Sequence, residues 1–175
     1  MTAPDDSERL KRAAALAAAD LIEDGMLLGL GSGSTARHLI VEVGERLASG
    51  GLRDVKCVPT SLTTEAWARE AGIPLVELGE GGVDLAIDGM DEVDPQLRAI
   101  KGLGGALARE KIVAAAAERF VLIGDSGKRV GSLGERSPVP VEVLPFGWRR
   151  TARLLARLVD EVGDGTAATP SLRNL

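Results

Sequence analysis

The residues best suited to chemistry lie within residues 86–112, AIDGMDEVDPQLRAIKGLGGALAREKI. Asp88 and Asp91 follow an apolar run typical of a buried strand, and open α/β sheets bind ligands at the carboxyl ends of their strands. Paired carboxylates would repel a phosphate, but they accept hydrogen bonds from sugar hydroxyls. Their spacing also permits a divalent metal, although the stretch lacks the alternation of glycine and ligand residues of a calcium loop. We therefore predict a hydroxyl-binding turn, with a metal site as the weaker alternative.

Two further acidic residues of this stretch are interpreted as structural. Asp94 precedes Pro95, and this pair is typical of a turn. Glu92 carries a charge of the kind that is rarely buried, and we expect it to face water.

Lysines beside glycines are the second candidate feature. Only five of the 21 basic residues are lysines, and Lys101 and Lys128 each adjoin a glycine. A lysine brings a compact positive charge to an oxyanion. Glu110, on the helix predicted to follow Lys101, could serve as a general base if partial burial tunes its pKa. The alternative is that Arg109, Glu110 and Lys111 form a solvated helix face.

The third candidate is the glycine-rich segment GLGSGSTA, residues 29–36, between a predicted strand and a predicted helix. Backbone N–H groups at a helix start, with glycines that allow close approach, suit a phosphate or another oxyanion. Hydroxyl donors are added by Ser32, Ser34 and Thr35. Gly31, Gly33 and Ala36 also fit the dinucleotide pattern G-x-G-x-x-A, but the next strand ends in Thr60 and Ser61 instead of an acidic residue, which disfavours NAD. The alternative is a tight strand-to-helix turn with a Ser or Thr cap.

The single histidine, His38, and the single cysteine, Cys57, exclude several chemistries. A two-histidine zinc site, a cysteine metal cluster and an internal disulfide all lack their second residue. A Ser-His-Asp system would have to use His38 inside a helical pattern, and we expect that residue to be structural or partly exposed. Carboxylates, lysines, hydroxyls and backbone amides remain as catalytic groups.

The charge and hydropathy of the chain limit the classes of partner that it could bind. The formal net charge of −5 over 175 residues argues against broad binding to nucleic acid or to an anionic membrane. No apolar run approaches the length of a membrane span, and the amino-terminal residues lack the order of a signal peptide. We expect a cytoplasmic protein whose anionic ligands are held by a few chosen residues.

The elements that must position these residues alternate along the chain. An alanine-rich helix comes first, and the strand MLLGLG follows. A helix then runs to Gly50 and Gly51, and strand VKCVPT, helix TTEAWAREAG, strands PLVEL and DLAID, helix GALAREKIVAAAAER and strand FVLIGD complete the series. Short apolar strands alternating with helices predict an α/β fold, with an open, mainly parallel sheet covered by helices on both faces in a Rossmann-like arrangement.

The residue pattern of the sequence changes after about residue 130. The segment GSLGERSPVPVEVLPFGW shows strand-like alternation, and the basic helix WRRTARLLARLVDEVG follows it. One strand and one helix seldom make a stable unit. We therefore predict a Rossmann-like catalytic domain over residues 1–130 and, over residues 131–175, the start of a smaller α+β subdomain that is incomplete.

Taken together, the ordered motifs GLGSGSTA, DLAIDGMDEVD, IKGLGGALAREKI, GDSGK and PVPVEVLPFGW closely resemble the ribose-5-phosphate isomerase A family. The resemblance implies interconversion of D-ribose 5-phosphate and D-ribulose 5-phosphate in the pentose phosphate pathway, without a metal or a cofactor. It places the general base on Glu110 and gives Asp88 and Lys101 catalytic roles. The substrate-binding residues that it implies are Lys11, Ser32, Gly33, Ser34, Thr35, Asp88, Gly89, Met90, Asp91, Lys101, Gly102, Leu103, Gly104 and Lys128.

Two departures from the family pattern stand out. Leu103 occupies a position that is usually a third consecutive glycine, and its side chain either crowds the anion pocket or points away from it. Family members usually continue beyond the motifs found here, so we expect a truncated form whose site residues are all present. The resemblance also implies a homodimer or homotetramer for the full-length family. Two alternatives are a sugar-phosphate-sensing module and an acyl-CoA transferase relative on the same type of sheet.

Overall fold

The computed structural model describes residues 4–163 and 170–173, and its centre is a four-stranded parallel sheet. The strands are β1 (Leu27–Leu30), β2 (Lys56–Pro59), β3 (Val83–Gly89) and β6 (Ala117–Ile123), in the order β2-β1-β3-β6. Because all four run in the same direction, their carboxyl ends meet at one edge of the sheet. That edge carries the residues after each strand.

Helices cover both faces of this sheet, as the alternation of elements predicted. They are α1 (Pro4–Ala19), α2 (Ser34–Ser49), α3 (Leu62–Glu70) and α4 (Leu107–Ala115). On one face, buried residues of α1 and α2 pack with alternate strand residues, among them Leu28, Leu85 and Ile87. On the other face, Val113 of α4 packs against Val83 and Ala86 of β3. The α/β prediction is confirmed.

A short antiparallel hairpin extends from the carboxyl end of β3. Its strands are β4 (Glu92–Val93) and β5 (Ala99–Ile100), with Glu92 opposite Ile100. The turn between them is held by Asp94, whose side chain accepts hydrogen bonds from the backbone N–H groups of Gln96 and Arg98 at 3.0 and 2.9 Å. The hairpin returns the chain to the sheet edge at Lys101, and the prediction of a turn at Asp94 is confirmed.

Two element predictions were wrong in their extent. The expected strand PLVEL reduces to a single bridge between Leu75 and Cys57, made by the hydrogen bonds that join Cys57 to Pro74 and Val76. The helix predicted over residues 105–119 ends at Ala115, and the chain from Ala117 is already strand β6. Pairing of Ala117 with Val83 in the sheet prevails over the helix propensity of these residues.

The described chain divides into two compact units, one ending at Pro140 and one beginning at Val141. In the second unit, helix α5 (Trp148–Val162) carries apolar and basic residues on different faces, and none of its residues is buried. The strand suggested by the alternation in residues 131–147 does not form there. In the first unit, the N–H groups of Arg136 and Ser137 bind a side chain instead of a neighbouring strand. Among the described residues, no helix is both long and apolar enough to span a membrane.

Candidate active site

The carboxyl edge of the sheet brings together segments from several parts of the sequence. Ser32 follows β1, Thr60 follows β2, Asp88 and Gly89 end β3, and the segment from Gly124 follows β6. The hairpin adds Lys101 to this group. The structure therefore collects most of the predicted site segments at the edge where parallel sheets bind ligands.

Lys101 lies at the centre of the site. Its Nζ atom is 3.1 Å from Asp88 Oδ2 and 3.3 Å from Glu110 Oε2, and it also donates a hydrogen bond to the backbone carbonyl oxygen of Gly89. Asp88 and Glu110 are only 2% and 4% exposed. One ammonium group therefore forms ion pairs with two buried carboxylates. The interpretation of Glu110 as part of a solvated helix face is wrong.

The two carboxylates keep one oxygen each that is not satisfied by a hydrogen bond. Asp88 Oδ1 accepts from the backbone N–H groups of Ser32 and Gly89 at 2.9 and 2.7 Å. By contrast, Asp88 Oδ2 and Glu110 Oε2 are buried and lack a hydrogen-bond partner among the described residues, although both meet the Lys101 ammonium group at ion-pair distance. Buried acceptors of this kind are uncommon and call for an explanation, and a catalytic role is one such explanation.

Burial changes the acidity of both groups. It raises the pKa of the Asp88 carboxyl above its ordinary range, against the opposing effects of the Lys101 charge and the two N–H donors. Burial also raises the pKa of the Glu110 carboxyl, and the negative charge of Asp88 adds to the rise while Lys101 opposes it. A carboxylate whose pKa lies above its ordinary range is a stronger general base.

A network of hydroxyl groups supports the glycine-rich segment, and the sequence analysis did not assign it a role. Ser32 Oγ lies 2.9 Å from Thr60 Oγ1 and 3.2 Å from Thr64 Oγ1. The Thr64 hydroxyl donates to the carbonyl oxygen of Gly31 at 2.9 Å, and Ser61 Oγ donates to Thr64 Oγ1 at 2.9 Å. The signal that could have found this network was the Thr60-Ser61 pair at the end of the second strand.

The amino terminus of α2 is open to an anion. Gly33 precedes the helix with φ +92°, a left-handed value that favours glycine, and no side chain caps the helix. The first turn also contains no acidic residue. The helix therefore begins at the exposed Ser34 and the buried Thr35 without a side-chain cap, and such an uncapped helix start suits an oxyanion. The alternative of a turn with a Ser or Thr cap is wrong.

The segment from Lys101 to Gly104 is connected to the aspartate turn. The backbone N–H of Leu103 donates to Asp91 Oδ2 at 3.0 Å. Gly102 has φ +98° and faces Leu107, so a side chain at Gly102 would be strained. Among the described residues, no three His, Cys, Asp or Glu side chains form a group that could hold a metal ion.

Two predicted lysines lie at different places. Lys11, on α1, forms an ion pair with Glu8 at 2.6 Å, and Glu8 also lies 3.0 Å from His38 Nε2. Lys128 lies in a 3-10 turn, Ser126–Lys128. Atoms of Lys128 and Met90 lie together against Gly124, because a Cβ atom on that glycine would meet Met90 Cε at 3.0 Å and Lys128 Cγ at 3.3 Å. Lys128 is thus close to the end of β3, whereas Lys11 forms its ion pair with Glu8.

The expectation that Glu92 faces water is wrong. Its side chain is 1% exposed and accepts hydrogen bonds from the backbone N–H groups of Gly134, Arg136 and Ser137 at 2.6, 2.7 and 2.5 Å. Burial alone would raise the pKa of the Glu92 carboxyl, but these three donors outweigh it and lower the pKa. Short-range pattern reasoning missed this residue because its partners are distant in the sequence.

Gly31, directly after β1, packs tightly against Asp88 of β3. A Cβ atom there would lie 2.2 Å from Asp88 Oδ1 and 2.4 Å from Asp88 Cα. We expect Gly31→Ala to lower the free energy of unfolding by about 2 kcal/mol, because the two strands must separate to admit the methyl group. Urea unfolding measures the change, and Gly81→Ala is the matched control because a Cβ atom at Gly81 meets nothing within 4 Å. Equal stability of the two variants would contradict this packing argument.

Comparison with known proteins identifies the family of this chain. The family model described as ribose 5-phosphate isomerase A (phosphoriboisomerase A) matches residues 56–174. A relative named ribose-5-phosphate isomerase A, from Roseiflexus castenholzii, is 54% identical over 157 residues, which are 89% of this chain and 67% of the relative. The chain belongs to the ribose 5-phosphate isomerase A family.

The family member from Gluconobacter oxydans is 55% identical over 148 residues, or 83% of this chain and 63% of the relative. One from a Roseiflexus strain, RS-1, is matched over 59% of its length. The chain thus spans about two thirds or less of the length of these ribose-5-phosphate isomerase A relatives.

Solved ribose 5-phosphate isomerases share the fold. The structure from Plasmodium falciparum superposes with a TM-score of 0.84 at 42% identity, over 86% of this chain and 66% of the other. A D-ribose-5-phosphate isomerase in complex with phospho-erythronic acid superposes with a TM-score of 0.83 at 41% identity, with the same shares covered. The α/β architecture is therefore that of the ribose 5-phosphate isomerase A family.

Proposed function

We propose that this chain interconverts D-ribose 5-phosphate and D-ribulose 5-phosphate through an enediolate. The observation that carries the proposal is the pair of buried carboxylates, Asp88 and Glu110, whose unsatisfied oxygens meet at Lys101. Membership of the ribose 5-phosphate isomerase A family supports the same reaction. Asp88, Lys101 and Glu110 are the catalytic residues of this proposal.

Glu110 is the general base in this reaction. In the open-chain aldose, its carboxylate takes the proton from C2, and the electron pair of the C–H bond forms the C1–C2 double bond of an enediolate with its charge on O1. The proton on O2 then moves to O1, the carbonyl forms at C2, and Glu110 returns its proton to C1. One buried carboxylate with a raised pKa performs both transfers, so the single histidine is not needed.

Lys101 stabilises the charge that develops on the enediolate oxygens. Its ammonium group is held by Asp88, Glu110 and the carbonyl oxygen of Gly89. Because these contacts fix the cation before the substrate arrives, little reorganisation accompanies the reaction. Its largely buried position also strengthens its interaction with the oxyanion.

The remaining predicted residues bind the sugar and its phosphate. Asp88 and Asp91 accept hydroxyl groups and assist ring opening, in the same turn as Gly89 and Met90. The open amino terminus of α2, with Ser32, Gly33, Ser34 and Thr35, suits the phosphate, and Lys11 and Lys128 supply positive charge. Phospho-erythronic acid, which the similar solved enzyme holds, carries a carboxylate and a phosphate, and its binding by that enzyme supports a site for two anionic groups in this proposal.

Neither alternative is favoured by a specific observation. An acyl-CoA transferase needs an exposed nucleophilic glutamate, whereas Glu110 is 4% exposed. A sugar-phosphate-sensing module needs the glycine-rich segment, but it does not need a general base beside a buried cation. The division at residue 130, the homodimeric or homotetrameric state and the cytoplasmic location stay predictions.

The test is isomerisation of D-ribose 5-phosphate by this chain in deuterated water. We expect D-ribulose 5-phosphate to form and deuterium to enter C1, because the proton held by Glu110 exchanges with solvent before it returns. Mass spectrometry and NMR of the recovered sugar phosphates measure both. Binding of ribose 5-phosphate without turnover or exchange would overturn the proposed function for this chain.

A further inference from the structure

The buried carboxylate of Glu92 is not used by the reaction described above. It lies in β4 between two site segments, since Asp91 precedes it and its strand partner Ile100 precedes Lys101. The backbone N–H of Asp91 also donates to the Ile100 carbonyl oxygen at 2.8 Å. The main chain at Glu92 is therefore fixed by the same hairpin that places Asp91 and Lys101.

The side chain of Glu92 is hydrogen-bonded to a third segment. Its Oε2 atom accepts from Gly134 N at 2.6 Å, and its Oε1 atom accepts from Arg136 N and Ser137 N at 2.7 and 2.5 Å. A carboxylate with several N–H donors makes short, charge-assisted hydrogen bonds. Glu92 thus fixes residues 134–137, a segment without regular secondary structure.

That segment in turn holds the turn that carries Lys128. Arg136 Nη1 donates to the carbonyl oxygen of Gly127 at 2.9 Å. The chain after the turn is also tied to β4, because Val130 N donates to the Val93 carbonyl oxygen at 3.0 Å. A continuous set of contacts therefore runs from Glu92 through Arg136 to the residue before Lys128.

We propose that Glu92 is a positioning residue that acts through Arg136 to hold Lys128 in place for the substrate. The proposal rests on the proposed function, since Lys128 is a substrate-binding residue there. Glu92 does not touch the reacting atoms. Its removal should therefore weaken substrate binding and leave the chemical step nearly unchanged.

The test is a double-mutant cycle with Glu92→Gln and Lys128→Met, using D-ribose 5-phosphate as the probe. Glutamine keeps the shape but presents an NH2 group to backbone donors, so we expect about a tenfold rise in KM with kcat changed by less than about threefold. In the Lys128→Met background, the same change should raise KM by less than about twofold, because the residue it positions is already absent. A merely structural role of Glu92 would raise KM by a similar factor in the wild-type and the Lys128→Met backgrounds.

Two further variants keep the test decisive. Arg136→Met removes the link to Gly127 from a side chain that is 57% exposed, so the fold should survive even if Glu92→Gln does not. We expect Arg136→Met to raise KM as Glu92→Gln does. Its effect on KM should also be non-additive with that of Lys128→Met. Glu118→Gln, an exposed carboxylate on β6, is the control and should leave KM unchanged.

Calorimetric binding of ribose 5-phosphate separates failure of this inference from failure of the proposed function. If the wild-type chain binds ribose 5-phosphate but does not isomerise it, the proposed reaction is wrong. The double-mutant cycle is then evaluated from Kd values. If the chain turns over and Glu92→Gln has a wild-type KM, or its loss is fully additive with Lys128→Met, the positioning role is overturned. A wild-type chain that does not bind ribose 5-phosphate overturns both.

Discussion

Replacement of Glu110 by glutamine is expected to abolish isomerisation and solvent-hydrogen exchange while ribose 5-phosphate still binds. The amide is nearly the same size as the carboxylate but cannot accept the C2 proton. We expect kcat to fall by about a thousandfold or more, within the range of general base catalysis, and Kd to change by less than about threefold. Deuterium incorporation and calorimetry measure the two effects separately.

The same variant should keep its stability or gain some. Burial raises the pKa of the Glu110 carboxyl, so the folded state binds this proton more tightly than the unfolded state. Stability therefore falls as pH rises from the ordinary glutamate value through the raised value, and an ionised Glu110 destabilises the fold above that window. Glutamine removes this cost, and urea unfolding at neutral pH should show it.

Glu118→Gln is again the matched control, because it makes the same chemical change at an exposed position on β6. It should retain wild-type turnover, exchange and stability. Full turnover by Glu110→Gln would remove Glu110 from the mechanism. Loss of both turnover and stability would instead indicate a structural role for this carboxylate.

Replacement of Lys101 by methionine is expected to lower kcat by about a hundredfold or more, because the developing oxyanion loses its preorganised cation. It should also move the acid limb of the kcat profile to higher pH. The charge of Lys101 lowers the pKa of Glu110, so its removal raises that pKa further. The base is then ionised only at higher pH. A pH series of single-turnover rates measures the shift.

Two other lysine variants sharpen this experiment. Lys111→Met removes an exposed lysine one residue after Glu110 and should leave rate and profile unchanged. Lys101→Arg keeps the positive charge but replaces the compact ammonium with a planar guanidinium group. Its acid limb should stay near that of the wild type even where kcat falls. An unshifted limb in Lys101→Met would contradict the coupling between Lys101 and Glu110.

The sequence alone was sufficient for the fold class and for the expectation that most candidate segments lie at one edge of the sheet. Apolar strands alternating with helices predict a parallel sheet, and a strand that ends in Asp88 must place that residue at the carboxyl edge. Glycines in the segment 29–36 similarly predict a close approach of the backbone, and a Cβ atom at Gly31 would collide with Asp88. These inferences hold because they depend on the order of the elements and on the absence of a glycine side chain, and they do not require knowing which charged side chains meet.

The tertiary structure alone decided which charges meet. No local pattern shows that Lys101 lies between Asp88 and Glu110, because the β4–β5 hairpin must first return the chain to the sheet edge. Glu92 looked like a solvated surface residue, yet it is buried against backbone donors from residues 134–137. Ala117 changed from helix to strand through its pairing with Val83. In each case the deciding contact joins residues of different elements, and only packing of the whole sheet brings such groups within bonding distance.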